Sequence, residues 1–152
     1  MHLPQLNLPD IEARTTTRDS QVYIWDNIRK KEILLTPEEW VRQHFVGLLI
    51  NHLKYPKSWF RIEAGLSYQK KQMRSDIEVL SPDGSVFLLV ECKRADIAIN
   101  HKTVQQAAQY NKMKQASYLS VTNGIQTFIW KKNPVTDSFE SITGFPEYPT
   151  LK

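Results

Sequence analysis

The chain has 152 residues, of which 41% are hydrophobic, 24% charged and 11% aromatic, a size and balance that point to one compact, water-soluble domain and exclude disordered and fibrous classes. Its longest apolar runs, Val46 to Ile50 (with Gly47 inside) and Val86 to Val90, fall far short of the roughly 20 residues that cross a bilayer, so no membrane association is expected. Cys92 as the single cysteine rules out an internal disulfide, and no signal-like segment opens the chain, so a reducing cytoplasm is the expected setting.

The formal charge of +4 and the pI near 9.2 tilt the chain only mildly towards polyanionic partners. More informative is where the basic residues gather: Arg29 to Lys31, Lys70, Lys71 and Arg74, Lys93 and Arg94, and Lys131 and Lys132. The second and third groups flank the acids discussed below.

In chain order, residues near 11–17 and 21–25 are rich in β-branched and aromatic types around an Arg-Asp-Ser break, and predict a strand hairpin. The prolines at 4 and 9, and those near the end, predict loosely structured termini. A helix is predicted from Thr36, with Thr36 as cap, Pro37 in the first helical position and Glu38 and Glu39 beside the positive end of the helix dipole. Trp40, Val41, Phe45, Leu48, Leu49 and Leu53 recur at spacings of three and four, giving an apolar face to bury against a sheet.

Three strands are predicted next, over 59–68, 74–80 and 86–93, the last two joined by a tight reversal at Ser-Pro-Asp-Gly-Ser. Val86 to Val90 is apolar at every position, as in a strand covered on both faces. Residues 103–115 predict a second helix with Val104, Ala107, Ala108 and Met113 inward, followed by two strands around Asn123-Gly124. The sum is a mixed α/β fold, a central mixed β-sheet flanked by helices with a β-rich N-terminal extension. It divides as a strand extension (1–30), a core (31–132) and a C-terminal tail (133–152) within a single domain.

Glu91 and Lys93 are two apart on a strand, so their side chains leave one face about 7 Å apart, with Cys92 facing away. Asp76 lies in the preceding strand, and the reversal between the two allows its carboxylate to converge with that of Glu91. Two acids and one ammonium at one spot suit phosphodiester hydrolysis: paired carboxylates hold Mg²⁺ (or Mn²⁺), and Lys93 orients or deprotonates water or stabilises developing charge. The same spacing fits a surface ion pair, but charges closing an all-apolar strand are costly unless partnered.

The segments RSDIEVL and LLVECK resemble the D…(D/E)XK signature of the PD-(D/E)XK nuclease superfamily. Together with TPEEWVRQ, GLSYQKKQMRSDIEVL, QQAAQYN and YLSVTNG, they resemble the N-terminal nuclease domain of type I restriction enzyme R subunits, over roughly residues 30–132. The resemblance implies a restriction-endonuclease-like core and a Mg²⁺-dependent DNA endonuclease in which Asp76 and Glu91 are metal carboxylates and Lys93 the catalytic lysine. It also implies a carboxylate from the first helix; Glu38, four residues before Arg42, is the closer match and Glu39 the alternative. Gln106 and Tyr110 fit a Gln-X-X-X-Tyr motif expected to position substrate or Lys93, and Arg74 and Lys71 are candidates for phosphate contact. The chain carries no Gly-rich phosphate loop, so a motor or specificity subunit is expected as a separate partner.

Overall fold

The computed structural model describes residues 3–68 and 71–150, and of 63–68 and 71–75 the backbone alone. Among the described residues, nine strands and two α-helices are ordered as β1 (Thr15–Arg18), β2 (Gln21–Asp26), β3 (Lys31–Leu34), α1 (Pro37–Gly47), β4 (Phe60–Tyr68), β5 (Lys71–Leu80), β6 (Val86–Cys92), α2 (His101–Lys114), β7 (Tyr118–Thr122), β8 (Thr127–Lys132) and β9 (Phe139–Ile142). The first three form an antiparallel sheet of their own, and the remaining six form a sheet in the order β4-β5-β6-β7-β8-β9. Strands β6 and β7 run parallel, because α2 carries the chain between them. The α/β architecture, a mixed six-stranded sheet with two flanking helices and an N-terminal β extension, is therefore the one the sequence predicts.

Helix α1 begins as expected: the Thr36 hydroxyl accepts from the Glu39 N–H, and Pro37 occupies the first turn, where no intrahelical donor is needed. Its last turn widens into a π-type turn over Leu48–His52, where the Leu53 N–H reaches the Leu48 carbonyl at 3.1 Å. Val41, Phe45 and Leu49 pack with Ile77, Val79, Leu88, Val90 and Cys92 on one face of the large sheet. Ala107 and Tyr110 of α2 pack with Leu89, Leu119 and Val121 in a second cluster. Alternation along β6 thus feeds two cores, the reason this strand tolerates so little polarity.

Several expectations change. The N-terminal hairpin is a three-stranded sheet, because β3 pairs with β2 from Tyr23↔Leu34 to Asp26↔Lys31, so the extension runs past residue 30. The termini are packed rather than loose. Leu6 is buried against Gly124, and β9 pairs with β8. The Tyr55 hydroxyl donates to the Pro146 carbonyl at 2.5 Å, and Tyr148 to that of Leu80 at 2.6 Å. Prolines there fix the path of segments held by aromatic packing. In α2, Met113 is 49% exposed, and Thr103 and Asn111 take inward positions instead. Among the described residues, no helix is long and apolar enough to cross a membrane.

Candidate active site

Strands β5 and β6 are antiparallel, with Ile77 opposite Val90. One step further, the same register sets Asp76 opposite Glu91 at the end of the apolar run. The Cys92 backbone N–H donates to Asp76 Oδ2 at 2.7 Å, and Arg42 of α1 donates to Asp76 Oδ1 at 2.5 Å. Asp76 is thereby fixed between a strand end and a helix at 8% exposure. Cys92 enters the α1-side core while its neighbours Glu91 and Lys93 are half-buried, the alternation that the spacing of Glu91 and Lys93 requires.

Lys93 Nζ lies 3.3 Å from Glu91 Oε1. Glu91 is also within hydrogen-bonding reach of Asp76; burial first, and then the Asp76 charge, push its carboxyl up to about 8, with Lys93 drawing it back. Glu38 meets Asp76 from the helix side, and burial followed by the Asp76 charge raises its carboxyl too, against the pull of Arg42. The three carboxylates form a row with Asp76 at its centre, contributed by α1, β5 and β6.

The two helix acids divide sharply. Glu39 is buried, its carboxylate taken by Arg29 at 2.8 Å, Arg42 at 2.5 Å and Gln43 at 3.0 Å. Glu38 keeps a side chain 43% exposed and directs it to Arg42 and Asp76. Arg42, whose place in the sequence marks Glu38 as the closer match, connects both acids to Asp76. A cation three and four residues after two acids on one helix is the signal that points to it. Burial weakens its charged form, but Asp76 and Glu39 more than compensate and hold its guanidinium above its ordinary range.

The remaining candidates are carried by α2 and by the start of β5. Gln106 is exposed on α2, while Tyr110 is buried in the α2-side core with Leu89, Leu119 and Val121, so the Gln-X-X-X-Tyr pair spans an exposed and a buried position. Arg74 and Lys71 are set by backbone alone, opposite Gly65 and Tyr68 in the β4-β5 ladder; their side chains lie outside the described residues. Glu78, absent from the sequence candidates, is fully buried and paired with Arg61 and Lys114, which ties β5 to β4 and α2.

Among the described residues, no three His, Cys, Asp or Glu side chains are gathered as a ready-made metal cage. The donor chemistry of Glu38, Asp76 and Glu91 nonetheless fits a hard divalent cation, which takes carboxylate oxygens. Two of the three are held above their ordinary range partly by a neighbouring carboxylate, a repulsion that a bound dication relieves.

No curated protein matches the chain. Residues 37–146, from the first turn of α1 to beyond β9, match the family described as Type I restriction enzyme R protein N terminus (HSDR_N). That stretch contains the whole six-stranded sheet, both helices and the Glu38, Asp76, Glu91 and Lys93 set, and the chain belongs to this family of nuclease-fold N-terminal domains.

Proposed function

We propose that the chain is a Mg²⁺-dependent DNA endonuclease domain, with Mn²⁺ as an alternative ion and Asp76, Glu91 and Glu38 as the metal carboxylates. The observation that carries this reading is the meeting of Asp76, Glu91 and Lys93 at one strand end, with Lys93 Nζ 3.3 Å from Glu91. A divalent cation held there would neutralise a phosphodiester and acidify a bound water. Lys93, 31% exposed at its side chain, has the access to donate to a scissile phosphate oxygen or orient the attacking water. Glu91 sets the direction of that ammonium, and Asp76 is pinned by the Cys92 N–H so that it cannot swing from the strand end. Arg74 and Lys71 are proposed to contact the nucleic acid backbone, Gln106 and Tyr110 to position substrate or Lys93, and a separate motor or specificity subunit to complete the assembly.

Incubation of the purified protein with duplex, single-stranded and branched DNA in Mg²⁺ or Mn²⁺ tests this reading. Cleavage is expected, with loss of at least about 100-fold in Asp76→Ala, Glu91→Ala and Lys93→Ala, and with Mn²⁺ binding retained in Lys93→Ala alone. No cleavage of any substrate, or cleavage indifferent to these changes, overturns it.

A second reading, a non-catalytic nucleic-acid-binding or assembly module of the same fold, is favoured by one observation: both Asp76 oxygens are already engaged, by Arg42 and Cys92. Calorimetry separates the two. Salt-sensitive DNA binding without Glu91-dependent Mn²⁺ affinity supports the module.

A further inference from the structure

The Arg42 guanidinium lies among the acids from which a metal site would be built. Nη2 is 3.0 Å from Glu38 and 2.5 Å from Asp76, while Nη1 is 2.5 Å from Glu39. The residue is 3% exposed. Behind it, Arg29 bonds Asp26 and Glu39, each at 2.8 Å, and Gln43 bonds the same two acids at 2.9 and 3.0 Å. Glu39 is therefore gripped from the N-terminal sheet side and offers Arg42 a second, fixed partner away from the carboxylate row.

We propose that Arg42 is a resident counter-cation of the carboxylate row, bridging Glu38 and Asp76 when no divalent ion is bound and withdrawing onto Glu39 when one enters. The proposal rests on the metal-dependent reading above. Its physical ground is that Asp76, at 8% exposure, requires a compensating charge, whereas a guanidinium and a dication packed against Asp76 and Glu38 together repel one another. The planar fork of arginine suits this exchange, since one nitrogen stays on Glu39 while the other lets go. Arg42 is a positioning residue in this scheme and takes no part in bond breaking.

The test uses Mn²⁺ alone as probe, with Kd from calorimetry and Tm from thermal unfolding, on the full chain and on Arg42→Gln and Arg42→Lys. Arg42→Gln is expected to melt lower without the ion, to bind Mn²⁺ about tenfold more tightly or better, and to gain more in Tm from the ion than the unaltered protein does. Arg42→Lys, whose single ammonium cannot hold Glu39 and Asp76 together, is expected to bind Mn²⁺ more tightly than the unaltered protein but less tightly than Arg42→Gln. Should Arg42→Gln fail to fold at any Mn²⁺ concentration, the lysine variant decides. Mn²⁺ binding by the unaltered protein that the variants equal or weaken overturns the proposal alone. Absence of binding in all three proteins overturns the metal-dependent reading and this proposal with it.

Discussion

The Cys92 backbone N–H and the Asp76 carboxylate meet at 2.7 Å across the end of the β5-β6 ladder, so one acid closes a strand pair while presenting its other oxygen to Arg42 at 2.5 Å. Removing that acid strands two buried groups together. Asp76→Ala is expected to cost about 3–5 kcal/mol in urea denaturation, because the buried Cys92 N–H loses its acceptor and the buried Arg42 guanidinium loses one of its three carboxylates. Asp76→Asn, which retains an acceptor for Cys92, is expected to lose less. A loss below about 1 kcal/mol for the alanine variant would show that the contact is not structural.

Neighbouring glutamates on α1 should behave in opposite ways. Glu39→Gln breaks a buried cluster with Arg29 and Arg42 and is expected to destabilise by about 3–5 kcal/mol. Glu38→Gln, with its side chain 43% exposed, is expected to change stability by no more than about 1 kcal/mol while sharply lowering Mn²⁺ affinity. Equal destabilisation by the two changes contradicts this division.

A pH dependence follows from Glu91. Its folded carboxyl is pushed up to about 8 from an ordinary 4.5 by burial and by Asp76, so between those values the folded state holds a proton that the unfolded chain has released. Stability without metal is therefore expected to fall as pH rises from about 4.5 through about 8. Over the same window Mn²⁺ binding strengthens, since ion and proton compete for one carboxylate. Denaturation and calorimetry at pH 5, 6.5 and 8 check both directions against Glu91→Gln, in which each slope should be reduced. A Glu91→Gln protein with unchanged pH slopes rules out this residue as their origin.

The C-terminal segment is predicted to be part of the core. Tyr55, Phe87, Tyr118 and Tyr148 form a chain of ring contacts with centroids 5.2–5.9 Å apart, and Phe145 packs edge-on to Phe45. Deleting residues 139–152 is expected to lower Tm by more than about 10 °C, since the strand β9 and two aromatic anchors go together. Tyr148→Phe, which loses only the bond to the Leu80 carbonyl, should cost about 1 kcal/mol. A truncated chain melting as the full one does would exclude a structural role.

Local chemistry carries far in this sequence. Thr36 and Pro37 mark the start of α1, Ser81 to Ser85 the reversal with Gly84 at φ 89°, and Val86 to Val90 a strand buried on both faces, because caps, turns and side-chain period depend on a few adjacent residues. Short β3 and β9 escape such a reading: with four residues each, two partly buried and two exposed, their pairing is fixed by β2 and β8 rather than by their own pattern.

By itself the sequence determined the two helices, the central strands and the candidacy of Asp76, Glu91 and Lys93, through spacing and period. Only the tertiary structure decided that Glu38 faces Asp76 while Glu39 is consumed by arginines, that Tyr110 goes to the core while Gln106 stays exposed, and that Arg42 sits among the acids. Arg42 and Asp76 are 34 residues apart and meet because α1 packs across the end of β5 and β6. Contacts of that kind depend on how apolar faces dock, which no local window of residues encodes.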